Sequence, residues 1–205
     1  MTVISWNIEG LNHPRKQKGL KELIRAQEAK VCGIFETKLN SDVLSSVMSS
    51  YFSGWNFDSN FHLDSRGRIL LMWDPVFVTL QVFGKSQQHI GCLVKCKITG
   101  VEYGLCFVYG LHSVVHRRGI WEGVRSCFSA HNVPWMVLGD FNCVMNHEER
   151  LHGRPVRPYE CNDMVEACST LGLVDTPFVS NNVFTWTRGK VWSKIDRVLV
   201  SDKWL

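Results

Sequence analysis

The sequence predicts an α/β fold of layered type, with helices packed on sheets, and three observations lead to it. The amino-terminal stretch reads strand, helix, strand. The middle of the chain is a succession of β-rich runs separated by turn residues. At 205 residues, 45% hydrophobic and 20% charged, the chain is long enough for one domain spanning 1–205 with a substantial core.

Taken in order, "TVISWN" is a short strand, and "RKQKGLKELIRAQEAK" places Leu20, Leu23, Ile24 and Gln27 at helical spacing with basic residues opposite. "VCGIFET" follows as a short buried strand. "SDVLSSVMSS" reads as a short helix with Ser41 as its cap, and "RILLMWDP" as a strand stopped by Pro75. "FVTLQVF", "IGCLVKCKI" and "YGLCFVYG", with "GK" and "TGVE" as turns, form an antiparallel meander. "HRRGIWEGVRSCFSAH" is a helix with Ile120, Val124, Cys127 and Phe128 on one face, and the strand "WMVLGD" follows it. A polar loop rich in Arg and Pro, a helix over about 159–171 and the strands "VFTWT" and "KIDRVLVS" complete the chain. There is no internal repeat, linker or low-complexity segment.

A formal net charge of +4 permits an anionic partner without demanding one. The eight cysteines include no CxxC pair and sit mostly inside apolar runs, which reads as reduced core thiols in an intracellular protein of nucleus or cytoplasm. No charged leader and no run approaching ~18 apolar residues is present, so neither secretion nor a membrane partner is expected.

Polar residues recur where strands stop. Strand one ends in Asn7 with Glu9 beyond it, strand two in Glu36, a middle strand in Tyr109, and the strand "WMVLGD" in Asp140, with Asn142 two residues on. Strands of a layered sheet finish along common edges, so such residues can converge on one cleft. Carboxylates and amides without a thiolate are hard oxygen donors, suited to Mg²⁺ or Mn²⁺. An ion held by Glu36, assisted by Asn7 or Glu9, offsets charge on a phosphate and so points to phosphodiester chemistry. Asp140 can position or deprotonate a water, Asn142 can hold that water or a phosphate oxygen, and the Tyr109 hydroxyl can bond the phosphate. Asp196, an acid within the apolar run "KIDRVLVS", needs a partner if buried: a histidine, an amide, or a salt bridge to Arg197 or Lys194. His112 beyond "VYG", with Arg150, Arg154 and Arg157 of the polar loop, can contact a nucleic-acid backbone. Each residue also has a plainer reading. Asp and Asn after "LG" are common turn residues, Glu36 can be a strand-end charge and Tyr109 a core aromatic, while His112 and the arginines can form a solvated face.

Together "SWNIEGLN", "IFETKL", "FVYG", "LGDFN" and "SKIDRVLVS" resemble the endonuclease/exonuclease/phosphatase family, the fold of DNase I and of exonuclease III-type apurinic endonucleases. "SRGRILLMWDP", "VYGLHSVVHRRGIWEGV", "FTWT" and "SKIDRVLVS" are most similar to the endonuclease domain of plant LINE-type, non-LTR retrotransposons. The resemblance implies a four-layered α/β sandwich with two packed mixed sheets, acting as a monomer. It implies Mg²⁺-dependent nicking of DNA to leave a 3′ hydroxyl that primes a reverse transcriptase domain of the parent polyprotein. By resemblance Glu36 is the principal metal ligand, with Asn7 and Glu9 beside it. Tyr109 contacts the phosphate, Asp140 and Asn142 serve the nucleophile and transition state, and Asp196 orients a histidine.

That histidine belongs to a closing Ser-Asp-His motif on a further strand. "SDKWL" has Lys203 in its place and directly follows the Asp196 strand, so it reads as that strand's exit. The expectation is a domain lacking its final strand, with an unpaired sheet edge and a rate lowered ~100-fold to 10,000-fold. Two rivals stand beside this reading: a phosphoesterase acting on RNA or a phosphoinositide, and a non-catalytic nucleic-acid-binding remnant.

Overall fold

The computed structural model describes residues 1–64, 68–179 and 183–204. Its first half runs β1 (Thr2–Asn7), α1 (Pro14–Ala26), β2 (Ala29–Phe35), α2 (Ser41–Tyr51), β3 (Asn56–Ser59) and β4 (Ile69–Trp73). These strands form one sheet in the order β1-β2-β4-β3, in which β1 and β2 are parallel and the other pairs antiparallel. The second half runs β5 (Val78–Lys85), β6 (His89–Cys96), β7 (Glu102–Tyr109), α3 (Val114–Ala130), β8 (Trp135–Asp140), β9 (Arg150–Leu151), α4 (Pro158–Leu171), β10 (Leu173–Asp175), β11 (Trp186–Arg188), β12 (Val191–Ser193) and β13 (Asp196–Ser201). It builds a six-stranded sheet, β10-β13-β8-β7-β6-β5, and a small sheet, β11-β12-β9. β5, β6 and β7 are the predicted meander, and β7 then pairs parallel with β8.

Side-chain alternation along the strands sets the layers, because successive residues face opposite sides. Val31 and Phe35 of β2 share the interior between the sheets with Leu105, Phe107 and Tyr109 of β7. Cys32 and Ile34 turn the other way, into a core with Leu20 and Ile24 of α1 and Leu44 and Val47 of α2. On the far side, Cys106 and Val108 join Ile120 and Val124 of α3 and Met164 and Ala167 of α4. The result is four layers, helices, sheet, sheet, helices, as expected. All eight cysteines are free thiols and six are buried.

Three local readings change. α2 is capped by Asn40, whose Oδ1 accepts the Val43 N–H at 2.9 Å, and Ser41 is the first helical residue. On α1 the buried polar position is Gln17, which donates to the Leu11 carbonyl at 2.8 Å, whereas Gln27 is the exposed C-cap. The sequence pattern does not reveal β3, β9, β10 or β12, whose two to four residues are too few to show a period. Ser65 to Gly67 of "SRGRILLMWDP" and Leu205 of "SDKWL" lie outside the described residues. Among the described residues no helix is long and apolar enough to cross a membrane.

One charged cluster locks the sheet ends in place. Arg197 of β13 has a fully buried side chain; it donates from Nη1 to Glu149 Oε1 at 2.9 Å and to Asp175 Oδ2 at 2.5 Å, and from Nη2 to Glu149 Oε2. Lys194 donates to the same Asp175 oxygen at 2.6 Å. The loop after β8, the end of β10 and β13 are thereby tied through one guanidinium.

The inter-sheet packing generates a prediction. A Cβ on Gly33 would lie 2.0 Å from Phe107 Cδ1, so the ring rests directly on the β2 backbone. Gly33→Ala is expected to destabilise the fold by about 1–3 kcal/mol through overpacking. Urea unfolding of Gly33→Ala, Phe107→Leu and the double variant checks this: the double variant should lose clearly less than the sum of the two.

Candidate active site

Strand register brings the predicted polar residues into one row. Tyr109 pairs with Asp140 across β7 and β8, and Asp140 pairs with Asp196 across β8 and β13. In the other sheet Asn7 and Phe35 form the last pair of β1 and β2, with Glu36 immediately beyond. Side-chain hydrogen bonds join the two sheets at this row: Asn7 Nδ2 donates to Asp140 Oδ2 at 3.1 Å, and the Tyr109 hydroxyl donates to Glu36 Oε1. The sequence placed this convergence on the edge of one sheet; the ends of two sheets supply it.

The backbone explains why acids and amides follow apolar strands here. Glu9, Glu36 and Asn142 have φ of 50°, 49° and 50°, in the left-handed region that costs a non-glycine residue about 1 kcal/mol or more. Asn tolerates that region best. Asn142 donates its backbone N–H to Asp140 Oδ1 at 2.9 Å and its Nδ2 to the Gly110 carbonyl at 2.7 Å. Gly139 has φ of 145°, and a Cβ there would lie 2.0 Å from the Val108 carbonyl oxygen. "LGDFN" is therefore a strained strand exit, and its shape aims Asp140 inward.

Glu36 is held by its N–H, which donates to the Arg68 carbonyl at 2.9 Å, and by its carbonyl, which accepts from Gly10 at 2.7 Å. That second bond sets Glu9 beside the site. Glu9 is exposed, and Lys16 Nζ donates to its carbonyl at 2.8 Å.

Electrostatically the row is crowded. Asp140 is 4% exposed. Burial pushes its carboxyl up to about 7, with Asp196 and then Glu36 adding repulsion, while the Asn142 N–H and the Asn7 amide pull it down. Burial also raises Asp196, partly opposed by a hydrogen bond to Thr185. Burial and the bond to Glu36 raise Tyr109. Neither salt bridge considered for Asp196 forms, because Arg197 and Lys194 are committed to Glu149 and Asp175. Thr185 Oγ1 instead accepts the Asp196 N–H at 3.0 Å.

Two clefts flank the row. One of about 440 Å³ is lined by Glu36, Lys38, Arg68, Tyr109 and His112. The other, about 330 Å³, is lined by His112, Asn142, Arg150, Arg154, Trp186 and Ile195 among others. His112 stands between them. Arg150 and Arg154 line the second cleft while paired with Glu160, each at 3.2 Å. Arg157 is the exposed residue preceding α4 and lines neither cleft. Sequence reasoning passed over Arg68, Lys38 and Trp186; the available signal was an arginine opening the apolar run of β4.

The donor set of Glu36, Asp140 and Asn7 is all hard oxygen, and like charge accumulates on Asp140 without a counter-cation. That fits a hydrated divalent cation bound through one or two carboxylates. Among the described residues no group of three or more His, Cys, Asp or Glu forms a closed cage.

Comparison with known proteins bears on the fold and on the family. The endonuclease domain of TRAS1, a telomere-specific non-LTR retrotransposon, superposes with a TM-score of 0.72 at 11% identity, over 98% of this chain and 84% of its own. The AP endonuclease LMAP from Leishmania major gives 0.73 at 15% identity, over 98% and 79%. The human Nocturnin catalytic domain gives 0.63 at 16%, over 98% and 81%. These likenesses show the fold. The sequence profile of the Endonuclease/Exonuclease/phosphatase family matches residues 4–205, and the chain belongs to that family.

Proposed function

We propose that the chain is a divalent-cation-dependent phosphodiesterase that nicks DNA, descended from the endonuclease domain of a non-LTR retrotransposon of the plant LINE branch. The observation that carries this is the Asn7–Asp140 bond, which closes the ends of two sheets into one acidic row. Arg150, Arg154 and Trp186 beside Asn142 add cations and an aromatic face, the combination that nucleic acid requires. The four sequence stretches shared with plant LINE domains and the likeness to TRAS1 support the lineage. In that lineage the nick supplies a primer to a reverse transcriptase domain.

In this mechanism Glu36, assisted by Asn7 and Glu9, holds Mg²⁺ or Mn²⁺, which when bound neutralises charge on the phosphate. Asp140, held at about 7 by burial and then by the repulsion of Asp196, is a base matched to the abstraction of a proton from water. Asn142 fixes that carboxylate through its N–H. The Tyr109 hydroxyl, directed at Glu36, would transfer its hydrogen bond to a non-bridging oxygen of the substrate phosphate. Among the described residues no histidine hydrogen-bonds Asp196, so residues 1–205 alone are proposed to turn over slowly.

Mg²⁺-dependent nicking of supercoiled plasmid by residues 1–205, with EDTA as control, tests the reading. Glu36→Gln and Asn142→Ala should each lower the rate by about 100-fold or more. Mg²⁺ should raise the melting temperature of the wild type and not of Glu36→Gln. Equal nicking by all three proteins, or none by folded wild type at any Mg²⁺ or Mn²⁺ concentration, would contradict it.

Asp140→Asn separates stability from activity. A carboxyl raised above its unfolded value stabilises the fold below pH ~4 and loses that contribution as pH rises through about 7. At pH 8 in EDTA the neutral amide should therefore stabilise the fold, on the order of 2 kcal/mol, with the advantage shrinking toward pH 4. Nicking should be lost at every pH. Urea unfolding at pH 4.5 and 8 checks the sign; an Asn variant less stable at pH 8 would refute the crowded-carboxylate account.

A further inference from the structure

Arg68 stands in the wall of the larger cleft with Glu36, Lys38, Tyr109 and His112, and the mechanism above gives it no role. Its Nε donates to Asp64 Oδ2 at 2.5 Å. Its guanidinium lies over the Tyr109 ring, with Cζ 5.0 Å from the centroid, and its carbonyl accepts the Glu36 N–H. Asp64 is fixed from behind, since Gln87 Nε2 donates to the same Oδ2 at 2.9 Å. Asn60, fully buried, ties this turn to the Ser86 and Gln87 carbonyls at 2.9 and 3.1 Å. The guanidinium plane is thus set by a carboxylate on one side and an aromatic face on the other.

A guanidinium is permanently charged and has five donors, of which the Asp64 bond uses Nε–H. A pair that served only the turn could sit anywhere along it. This one is stacked on the tyrosine whose hydroxyl reaches Glu36, in the cleft that the acidic row borders. A polyanion approaching Glu36, Asp140 and Asp196 meets repulsion, and a preorganised cation in the same wall offsets it.

We propose that Arg68 is the phosphate-binding cation of this cleft, contacting a non-bridging oxygen of the substrate phosphodiester while holding the Tyr109 ring in place. The proposal rests on the phosphodiesterase reading and adds to it a binding contribution that needs no metal ion. That difference makes it measurable apart from turnover.

The experiment is fluorescence anisotropy of a short labelled DNA duplex with residues 1–205 in EDTA, over a series of salt concentrations. Arg68→Gln should bind about ten-fold more weakly, with a slope of log affinity against log salt reduced by about one. Arg68→Lys should recover most of the slope and part of the affinity, because charge returns without the planar fork. Should Arg68→Gln fail to fold, Asp64→Asn/Arg68→Gln supplies a neutral hydrogen-bonded pair and should show the same two losses. A folded variant of either kind with unchanged affinity and slope would overturn the proposal and leave Arg68 a partner of Asp64 only. Wild type that binds no duplex would overturn both this proposal and the DNA reading, whereas wild-type binding with unaffected variants overturns this one alone.

Discussion

Two carboxylates placed directly opposite each other, Asp140 and Asp196, impose the constraint around which this molecule is built. Neighbours on an antiparallel pair lie about 5 Å apart, and like charges at that distance destabilise a sheet. The fold keeps them there by means that do not neutralise them. Asn7 reaches across from the other sheet, the Asn142 N–H caps one oxygen of Asp140, and Thr185 binds beside Asp196. Arg197, adjacent to Asp196 in sequence, lies on the opposite face of β13, as strand alternation requires. It is spent on Glu149 and Asp175, and its Nε and Asp175 Oδ1 have no partner among the described residues. A buried ion network with unsatisfied atoms contributes little net stability. Its effect is on position, since it joins the loop that follows "LGDFN" to the strand that carries Asp196.

The same economy governs the backbone. Glu9, Glu36 and Asn142 all occupy left-handed conformations, a local conflict with residue preference concentrated at the strand exits. Such conformations persist only where the surroundings over-determine them. Here the segments beyond β1 and β2 remain bonded to each other, Gly10 to Glu36 and Leu11 to Thr37, each at 2.7 Å. Asn142 is fixed from both its N–H and its side chain. The strained residues therefore sit between rigid partners, and the side chains of Glu36 and Asn142, which line the clefts, start from defined positions.

How much of this was legible follows from period and composition. Alternation and helical spacing are properties of long segments, so the layers, the meander and the major helices could be read from residues alone. The strand-end polar residues could be read as a group because apolar runs stop on them. Which face each would occupy could not: Asp196 and Arg197 look like a natural ion pair in sequence, and only alternation in a formed β13 separates them. Gln17 rather than Gln27 is buried because α1 ends at Ala26, with Glu28 in the left-handed region, and an exit conformation leaves no periodic trace. Arg68 shows in the sequence as an arginine opening an apolar run, but what it does was unreadable for a related reason. Its meaning lies in Tyr109 and Asp64, partners set by sheet packing and by a turn.

The charge pattern around the row orders events at the site on the proposed reading. Lys38, Arg68, Arg150 and Arg154 rim the two clefts, so a polyanion is attracted to the edges. At the centre it meets Glu36, Asp140 and Asp196, where its phosphate and the carboxylates repel one another. Rim attraction alone therefore yields a complex in which the phosphate stays off the row. Glu36 would hold the cation that lowers the cost of bringing the phosphate inward, and a positive charge there would favour ionised Asp140, the form able to take a proton. Burial and the facing Asp196 hold the Asp140 carboxyl at about 7, so a positive charge beside it would shift it toward that form. On that reading one electrostatic balance among Glu36, Asp140 and Asp196 would couple phosphate binding to activation of the base.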